Sequence, residues 1–214
     1  MHEKISIIGA GSWGTALAIH LAGNFNQISL WVYEKELCDT ITRTRDNAWF
    51  LPGHPLPKNI HPTSSLQSAV EGQSLILLVV PTHVIRQTLT QIKPFIGKDC
   101  LVISASKGIE NDTLFTSHQI TQDILGPNTP TATISGPTFA KEVAEGVPSA
   151  LLASAENLET ARQVQELFTT DKMKVFANDD LVGVEIGGAL KNVIAIATGI
   201  SDGLVLGYNT RAAL

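Results

Sequence analysis

The sequence predicts an α/β fold, a doubly wound and mainly parallel sheet, followed by the first helices of an all-α segment. Three observations carry this reading. Short β-rich runs alternate with helix-like segments along most of the 214 residues, the pattern of strand–helix–strand units joined by right-handed crossovers. One run, "SLILLVVP" (74–81), is apolar without interruption, as a strand buried on both faces is. From residue 181 onward the pattern is helical only.

The elements follow in order. "KISIIGAG" (4–11) reads as a strand running into glycines, and "SWGTALAIHLAGN" (12–24) has helical spacing. "QISLWVY" (27–33) is a second strand, residues 34–46 a polar helix, and "FLPGHPLPKNIHP" (50–62) a proline-rich loop. A short helix leads to the strand at 74–81, then come a helix at 83–96, "CLVISASKG" (100–108) as strand and turn, and a further helix. "TATISGP" (131–137) is a strand and turn, "TFAKEVAEG" a helix start, and "PSALLAS" (148–154) a strand. "LETARQVQELFTT" reads as helix, "MKVFAND" as strand and "LVGVEIGGALKNVIAIATG" as a long helix. Residues 1–180 are therefore expected to form one domain and 181–214 the start of a helical second one. "YNTRAAL" carries no capping signal, so the helical part is expected to continue beyond it.

Composition narrows the class. A hydrophobic fraction of 43% with 16% charged residues suits a packed globular core. A net charge of −5 offers no basic face for nucleic acid. Cys38 and Cys100 form no C-x-x-C pair and read as small buried hydrophobes. The N-terminus lacks the basic and apolar regions of a signal peptide. No apolar run reaches the roughly 20 residues a membrane span needs, since the long one breaks at Lys191. A cytoplasmic protein with no transmembrane segment and no metal is expected.

"IIGAGSWGTALA" places Gly9, Gly11 and Gly14 in G-x-G-x-x-G spacing, directly after a strand and opening a helix. Gly9 permits the tight turn, Gly11 the approach of a pyrophosphate, and Gly14 close helix–strand packing, while free amides and the helix dipole face the phosphates. This is a Rossmann-type dinucleotide site. Glu34 stands where an acidic residue holds the adenosine ribose, and the adjacent Lys35 suits a 2′-phosphate, so NAD and NADP both remain open. Tyr33 lies either against the adenine or packed on the sheet.

Ligands in such sheets bind outside the carboxyl ends of the strands. Pro81 in "VVPTH", Lys107 in "SASKG", and Gly136 and Thr138 in "ISGPTFAKE" all fall at that edge. In "GGALKNVIAIATGI", Lys191 has no acidic residue within a helical turn, the nearest being Glu185 and Asp202. On a helical wheel Ile186, Leu190, Val193, Ala197 and Ile200 make an apolar stripe. Lys191 lies on another side, among Gly187, Gly188, Ala195 and Thr198, with Asn192 beside it. A positioned ammonium stabilises charge developing on a carbonyl oxygen and delivers a proton, so Lys191 suits catalysis and Lys107 electrostatic positioning.

The ordered set "GAGSWGTALA", "LWVYE", "NAWFLPG", "VVPTHVIRQTL", "SKGIE", "ISGPTFAKEVAEG", "GVEIGGALKNVIAIATGISDGL" and "YNTRAAL" resembles bacterial NAD(P)-dependent glycerol-3-phosphate dehydrogenase along essentially the whole chain. The resemblance implies reversible reduction of dihydroxyacetone phosphate to sn-glycerol 3-phosphate, supplying phospholipid synthesis, by a full-length homodimer with NADPH as the favoured cofactor. It implies cofactor contacts at Ser12, Trp13, Tyr33, Lys107 and Ala140, and substrate contacts at Lys107, Gly136 and Thr138. Lys191 would be the proton donor and acceptor, with Asn192 in the same pocket. Tyr33 stands where the bacterial family commonly carries His or Arg. The family's Asp and Ser-Arg-Asn substrate residues have no counterpart in these 214 residues. Two rival readings are a β-hydroxyacid or 6-phosphogluconate dehydrogenase of the same architecture, and a nucleotide-binding module without catalysis.

Overall fold

The structure is a computed structural model that describes residues 2–214. Eight strands form one sheet: β1 (His2–Ile8), β2 (Phe25–Trp31), β3 (Ile60–Thr63), β4 (Leu75–Leu78), β5 (Leu101–Ser104), β6 (Thr131–Ser135), β7 (Ser149–Ala155) and β8 (Met173–Asn178). Their spatial order is β3-β2-β1-β4-β5-β6-β7-β8. The first six run parallel, β7 is antiparallel to β6, and β8 runs parallel to β7. The mainly parallel, doubly wound reading is borne out, and the strand order reverses between β1 and β4.

The helices are α1 (Ser12–Leu21), α2 (Lys35–Thr44), α3 (Leu66–Val70), α4 (Thr82–Ile92), α5 (Ser117–Leu125), α6 (Ala140–Ala144), α7 (Leu158–Phe168), α8 (Leu181–Gly203) and α9 (Tyr208–Ala213). Two apolar cores lie on opposite faces of the sheet. Ile5, Ile7, Leu77 and Ile103 join the core beneath α1, α2 and α7. Ile8, Ile76, Leu78 and Val102 join the one beneath α3, α4 and α5. The period-2 alternation of side chains divides one apolar strand between two cores, which is why these strands read as unbroken apolar runs.

Three sequence expectations are corrected. The proline-rich stretch 50–62 is not all loop, because Ile60–Thr63 pairs with β2 as the sheet's edge. An edge strand tolerates Pro62, whose missing N–H faces away from the ladder. Arg45 fixes this segment, its guanidinium donating to the carbonyls of Leu56, Pro57 and Ile60.

The second correction concerns the apolar stripe of α8. Leu190, Val193 and Ile200 are exposed, and only Leu181, Val184, Glu185 and Ser201 of this helix are buried. Helical periodicity marks an apolar face but not what covers it.

Third, α8 is long and apolar enough to cross a membrane by length and composition, at 23 residues and a mean hydropathy of 1.5. One lysine lowers that average too little to exclude it. The opening turns of α8 are nevertheless seated on the sheet, where the buried Glu185 accepts at Oε1 from Thr133 Oγ1 (2.9 Å) and the His118 amide (3.0 Å).

Candidate active site

The glycine turn behaves as its spacing predicts, and each glycine for a different reason. Gly9 has φ +117°, and a Cβ there would sit 2.5 Å from the Val79 carbonyl oxygen. A Cβ on Gly14 would lie 1.9 Å from the Gly9 carbonyl oxygen, so α1 closes on β1 only at a glycine. A Cβ on Gly11 would meet nothing within 4 Å. Gly11 instead leaves an open approach to the first amides of α1, which have no intrahelical acceptor.

Gly9 and Gly11 border a cavity of about 430 Å³ that Tyr33, Glu34, Phe50 and Pro81 also line. Tyr33 is 77% exposed, its ring edge-on to Trp31 at 5.9 Å, so it stands on the rim rather than packed on the sheet. Glu34 is the N-cap of α2 but makes no capping hydrogen bond, which leaves its carboxyl group free. Open glycine backbone, free amides, apolar walls and one carboxyl group fit a dinucleotide.

Asn47 supports this cavity and sequence reasoning missed it. It is fully buried, donates from Nδ2 to the Ala10 carbonyl and to Thr15 Oγ1 (2.8 Å each), and accepts from the Phe50 amide (3.2 Å). A polar residue at 0% exposure in a loop is a structural tie, and the two partners to which it donates are 32 and 37 residues away. No local pattern reports it. Ser12 adds a second tie, Oγ donating to the Phe50 carbonyl at 2.6 Å. Trp13 and Ala140 are half-buried against the core beneath α1, and α6 packs on α1.

At the next strand ends, Lys107 Nζ donates to the Gly136 carbonyl (3.1 Å) and Thr82 Oγ1 to the Lys107 carbonyl (3.1 Å). Ser106 Oγ donates to the Val80 carbonyl (2.6 Å), so the turn carrying Pro81 and the turn carrying Lys107 hold each other. Gly108 has φ +143°, and a Cβ there would lie 2.6 Å from Thr82 Oγ1. Burial lowers the Lys107 pKa, and the charge of Lys191 lowers it further.

Thr138 is not a helix cap. α6 starts at Ala140 with Phe139 as its N-cap, and Thr138 Oγ1 is buried with no hydrogen-bond partner. An orphaned buried hydroxyl is costly unless something else bonds it. The Thr138 amide donates to the Gly136 carbonyl (3.1 Å), and a Cβ on Gly136 would sit 2.8 Å from the Ala150 carbonyl oxygen.

Helix α8 crosses this edge at Gly188. A Cβ there would lie 3.1 Å from Ser135 Oγ and 3.8 Å from Lys107 Cγ. One turn on, Lys191 is exposed and donates to Asn192 Oδ1 at 2.5 Å. Neither nearby carboxylate reaches it, since Glu185 turns to the sheet and Asp202 pairs with Arg211. Lys107, Gly136, Thr138 and Lys191 thus meet at one edge, while Gly9, Gly11, Tyr33, Glu34 and Pro81 border the adjoining cavity. Among the described residues no group of three or more His, Cys, Asp and Glu side chains could hold a metal ion.

Residues 4–161 match the family described as NAD-dependent glycerol-3-phosphate dehydrogenase N-terminus, and residues 180–214 its C-terminus counterpart. The chain is 51% identical to a glycerol-3-phosphate dehydrogenase [NAD(P)+] of Citrifermentans bemidjiense, over 100% of this chain and 64% of that protein. It therefore spans a little under two thirds of that relative's length. The crystal structure of glycerol-3-phosphate dehydrogenase from Coxiella burnetii superposes with a TM-score of 0.89 at 38% identity, covering 99% of this chain and 65% of the other. The Plasmodium falciparum glycerol-3-phosphate dehydrogenase structure gives 0.91 at 30% identity, over 99% and 62%.

Proposed function

The chain belongs to the NAD-dependent glycerol-3-phosphate dehydrogenase family, and from that premise we propose that it serves the reversible reduction of dihydroxyacetone phosphate to sn-glycerol 3-phosphate with NAD(P)H. In this reading residues 1–180 are the dinucleotide-binding domain and 181–214 the start of a helical substrate domain. The product feeds phospholipid synthesis, in the cytoplasm, from a homodimer of the full-length protein. The single observation that carries the reading is that α8 crosses the strand ends at Gly188, against Lys107, and so brings Lys191 one turn further on to the edge where Lys107 is tied to the Gly136 carbonyl and its turn to Thr82.

Gly9, Gly11 and the first amides of α1 would hold the pyrophosphate, where Ser12, Trp13 and Gly14 supply N–H groups. Tyr33 and Glu34 would face the adenosine, and Pro81, Lys107 and Ala140 the nicotinamide end. A reduced nicotinamide held by these residues would supply hydride chemistry toward a carbonyl carbon of the substrate.

Lys191 then stabilises the negative charge growing on the carbonyl oxygen and gives that oxygen a proton from Nζ. In the reverse direction its neutral amine takes the proton back. Lys107, desolvated and tied to the Gly136 carbonyl, supplies fixed positive charge toward the phosphate-bearing substrate. Thr138 Oγ1 and Asn192 offer hydrogen bonds to substrate oxygens. Two lysines that repel each other are stabilised together by an anion between them, which suits a phosphorylated ketone better than a neutral one.

The test is oxidation of reduced nicotinamide by the full-length protein with dihydroxyacetone phosphate, compared between native and Lys191→Ala forms. Turnover is expected to fall on the order of 10²–10⁴-fold with cofactor affinity nearly unchanged. Unchanged turnover would remove Lys191 from the mechanism, and activity only on a β-hydroxyacid or 6-phosphogluconate would replace the substrate.

A further inference from the structure

We propose that Arg86 and Glu110 clamp the loop that carries Lys107 and are positioning residues for substrate binding, acting through Lys107 rather than on a ligand. The inference rests on reading Lys107 as the ammonium that faces the substrate's phosphate.

The loop is long and sparsely held. Residues 105–116 join β5 to α5 without a helix or strand, about as long as such connections become in a compact domain. Near its start Thr82 Oγ1 donates to the Lys107 carbonyl. At its end Phe115 packs on the core and Thr116 opens α5 with a capping box. Between these points Gly108, Ile109, Asn111 and Asp112 make no hydrogen bond among the described residues. Gly108, directly after Lys107, brings the backbone freedom of glycine.

Arg86 supplies the tie that this stretch otherwise lacks. Its guanidinium donates from Nε and Nη2 to the two Glu110 oxygens, at 2.8 Å each, and from Nη1 to Asp123 on α5. A planar, two-pronged pair of this kind fixes orientation as well as distance. An isolated surface ion pair would fix little, but the Glu110 side chain is only 13% exposed and also accepts from Thr113 Oγ1. Thr82 and Arg86 stand four residues apart on α4, one turn along the same face. Helix α4 therefore grips the loop on both sides of Gly108, at Lys107 and three residues later at Glu110.

With both grips in place, Lys107 Nζ keeps its 3.1 Å contact to the Gly136 carbonyl. Released at Glu110, the loop pivots at Gly108 and the ammonium loses its single position. A bound anion must then order it, and affinity falls.

Two measurements on the full-length protein test this. Hydrogen exchange reads the loop without turnover, at the Glu110 and Leu114 amides, which bond within it. Arg86→Gln should speed their exchange by about tenfold or more and leave β5 unchanged. In steady-state kinetics the same variant should raise KM for dihydroxyacetone phosphate about tenfold, with NADH affinity within about twofold of native. Glu110→Gln removes the pair from its other side and should reproduce both effects, and the double variant should be no worse than either single one. In a Lys107→Ala background, Arg86→Gln should change kcat/KM by less than about twofold. Native exchange in the loop, or an Arg86→Gln effect undiminished without Lys107, overturns the proposal. A Lys107→Ala protein with native KM for dihydroxyacetone phosphate overturns the substrate reading of Lys107, and the clamp's role with it.

Discussion

Replacing Glu185 is the sharpest test of how α8 is held where it presents Lys191. Glu185 is 7% exposed, and its Oε1 accepts two hydrogen bonds at 2.9 and 3.0 Å while Oε2 is buried without a partner. In Glu185→Ala both donors, the buried Thr133 hydroxyl and the His118 amide in the first turn of α5, lose their acceptor. At about 1–3 kcal/mol for each, the loss is roughly 2–6 kcal/mol, of which removing the orphaned Oε2 returns part. A net of about 2–4 kcal/mol corresponds to a melting temperature lower by roughly 4–16 °C for a domain of this size. Glu185→Gln keeps an acceptor oxygen for both donors, so it is expected to cost only about 1 kcal/mol. Denaturant titration with both variants reads these values. In a cycle with Thr133→Val the pair should couple by about 0.5–3 kcal/mol. If Ala and Gln both lie within about 0.5 kcal/mol of the native protein, the carboxyl group does not anchor α8 and the reasoning fails.

The glycine turn separates stability from binding. Gly14→Ala drives a Cβ into the Gly9 carbonyl and should destabilise by about 3 kcal/mol or more, whereas Gly11→Ala meets open space and should leave stability within about 0.5 kcal/mol while weakening NADH binding. Equal melting temperatures for the two variants would contradict this. His20 donates from Nε2 to the Phe168 carbonyl at 3.1 Å, and burial, outweighing that bond and the Asp171 charge, lowers its pKa. The unfolded chain then binds a proton more readily than the folded one. Stability is full above the unfolded value of 6.5 and falls as pH drops below it, by at most about 1.4 kcal/mol per pH unit. His20→Gln should flatten that part of the curve, and an unchanged slope counts against it. Both thiols are buried, and desolvation raises the Cys38 pKa and pushes Cys100 up to about 11. Neither should react with a thiol reagent at neutral pH until the protein unfolds, and rapid labelling of the native form would refute that.

The doubly wound sheet was legible because its signals are local. Strand–glycine–helix punctuation at Gly9, Gly11 and Gly14 needs only neighbours in the chain, and apolar runs such as Leu75–Leu78 announce strands covered on both faces. The edge that carries Pro81, Lys107, Gly136 and Thr138 was also legible, since a parallel sheet brings every strand's carboxyl end to one side. Edge strand β3 was hidden by its proline, which argues against a strand everywhere except at an edge.

What only the tertiary structure decided are relations between distant parts of the chain. Asn47 is buried because Ala10 and Thr15 lie against it, and Glu185 faces Thr133 across 52 residues. Thr138 shows in the sequence only as a residue at the strand edge, and that its hydroxyl is buried without a partner, ahead of a helix starting at Ala140, is decided by packing. The stripe of α8 was visible as periodicity, yet its exposure depends on what packs beside it. Lys35 could serve a phosphate or a neighbouring carboxylate with equal chemical sense, and the turn of α2 toward Asp39 made the choice. Sequence fixes which groups are present and which lie on one face. Burial and partnership arise from through-space packing, and they decide which of those groups stay free to bind.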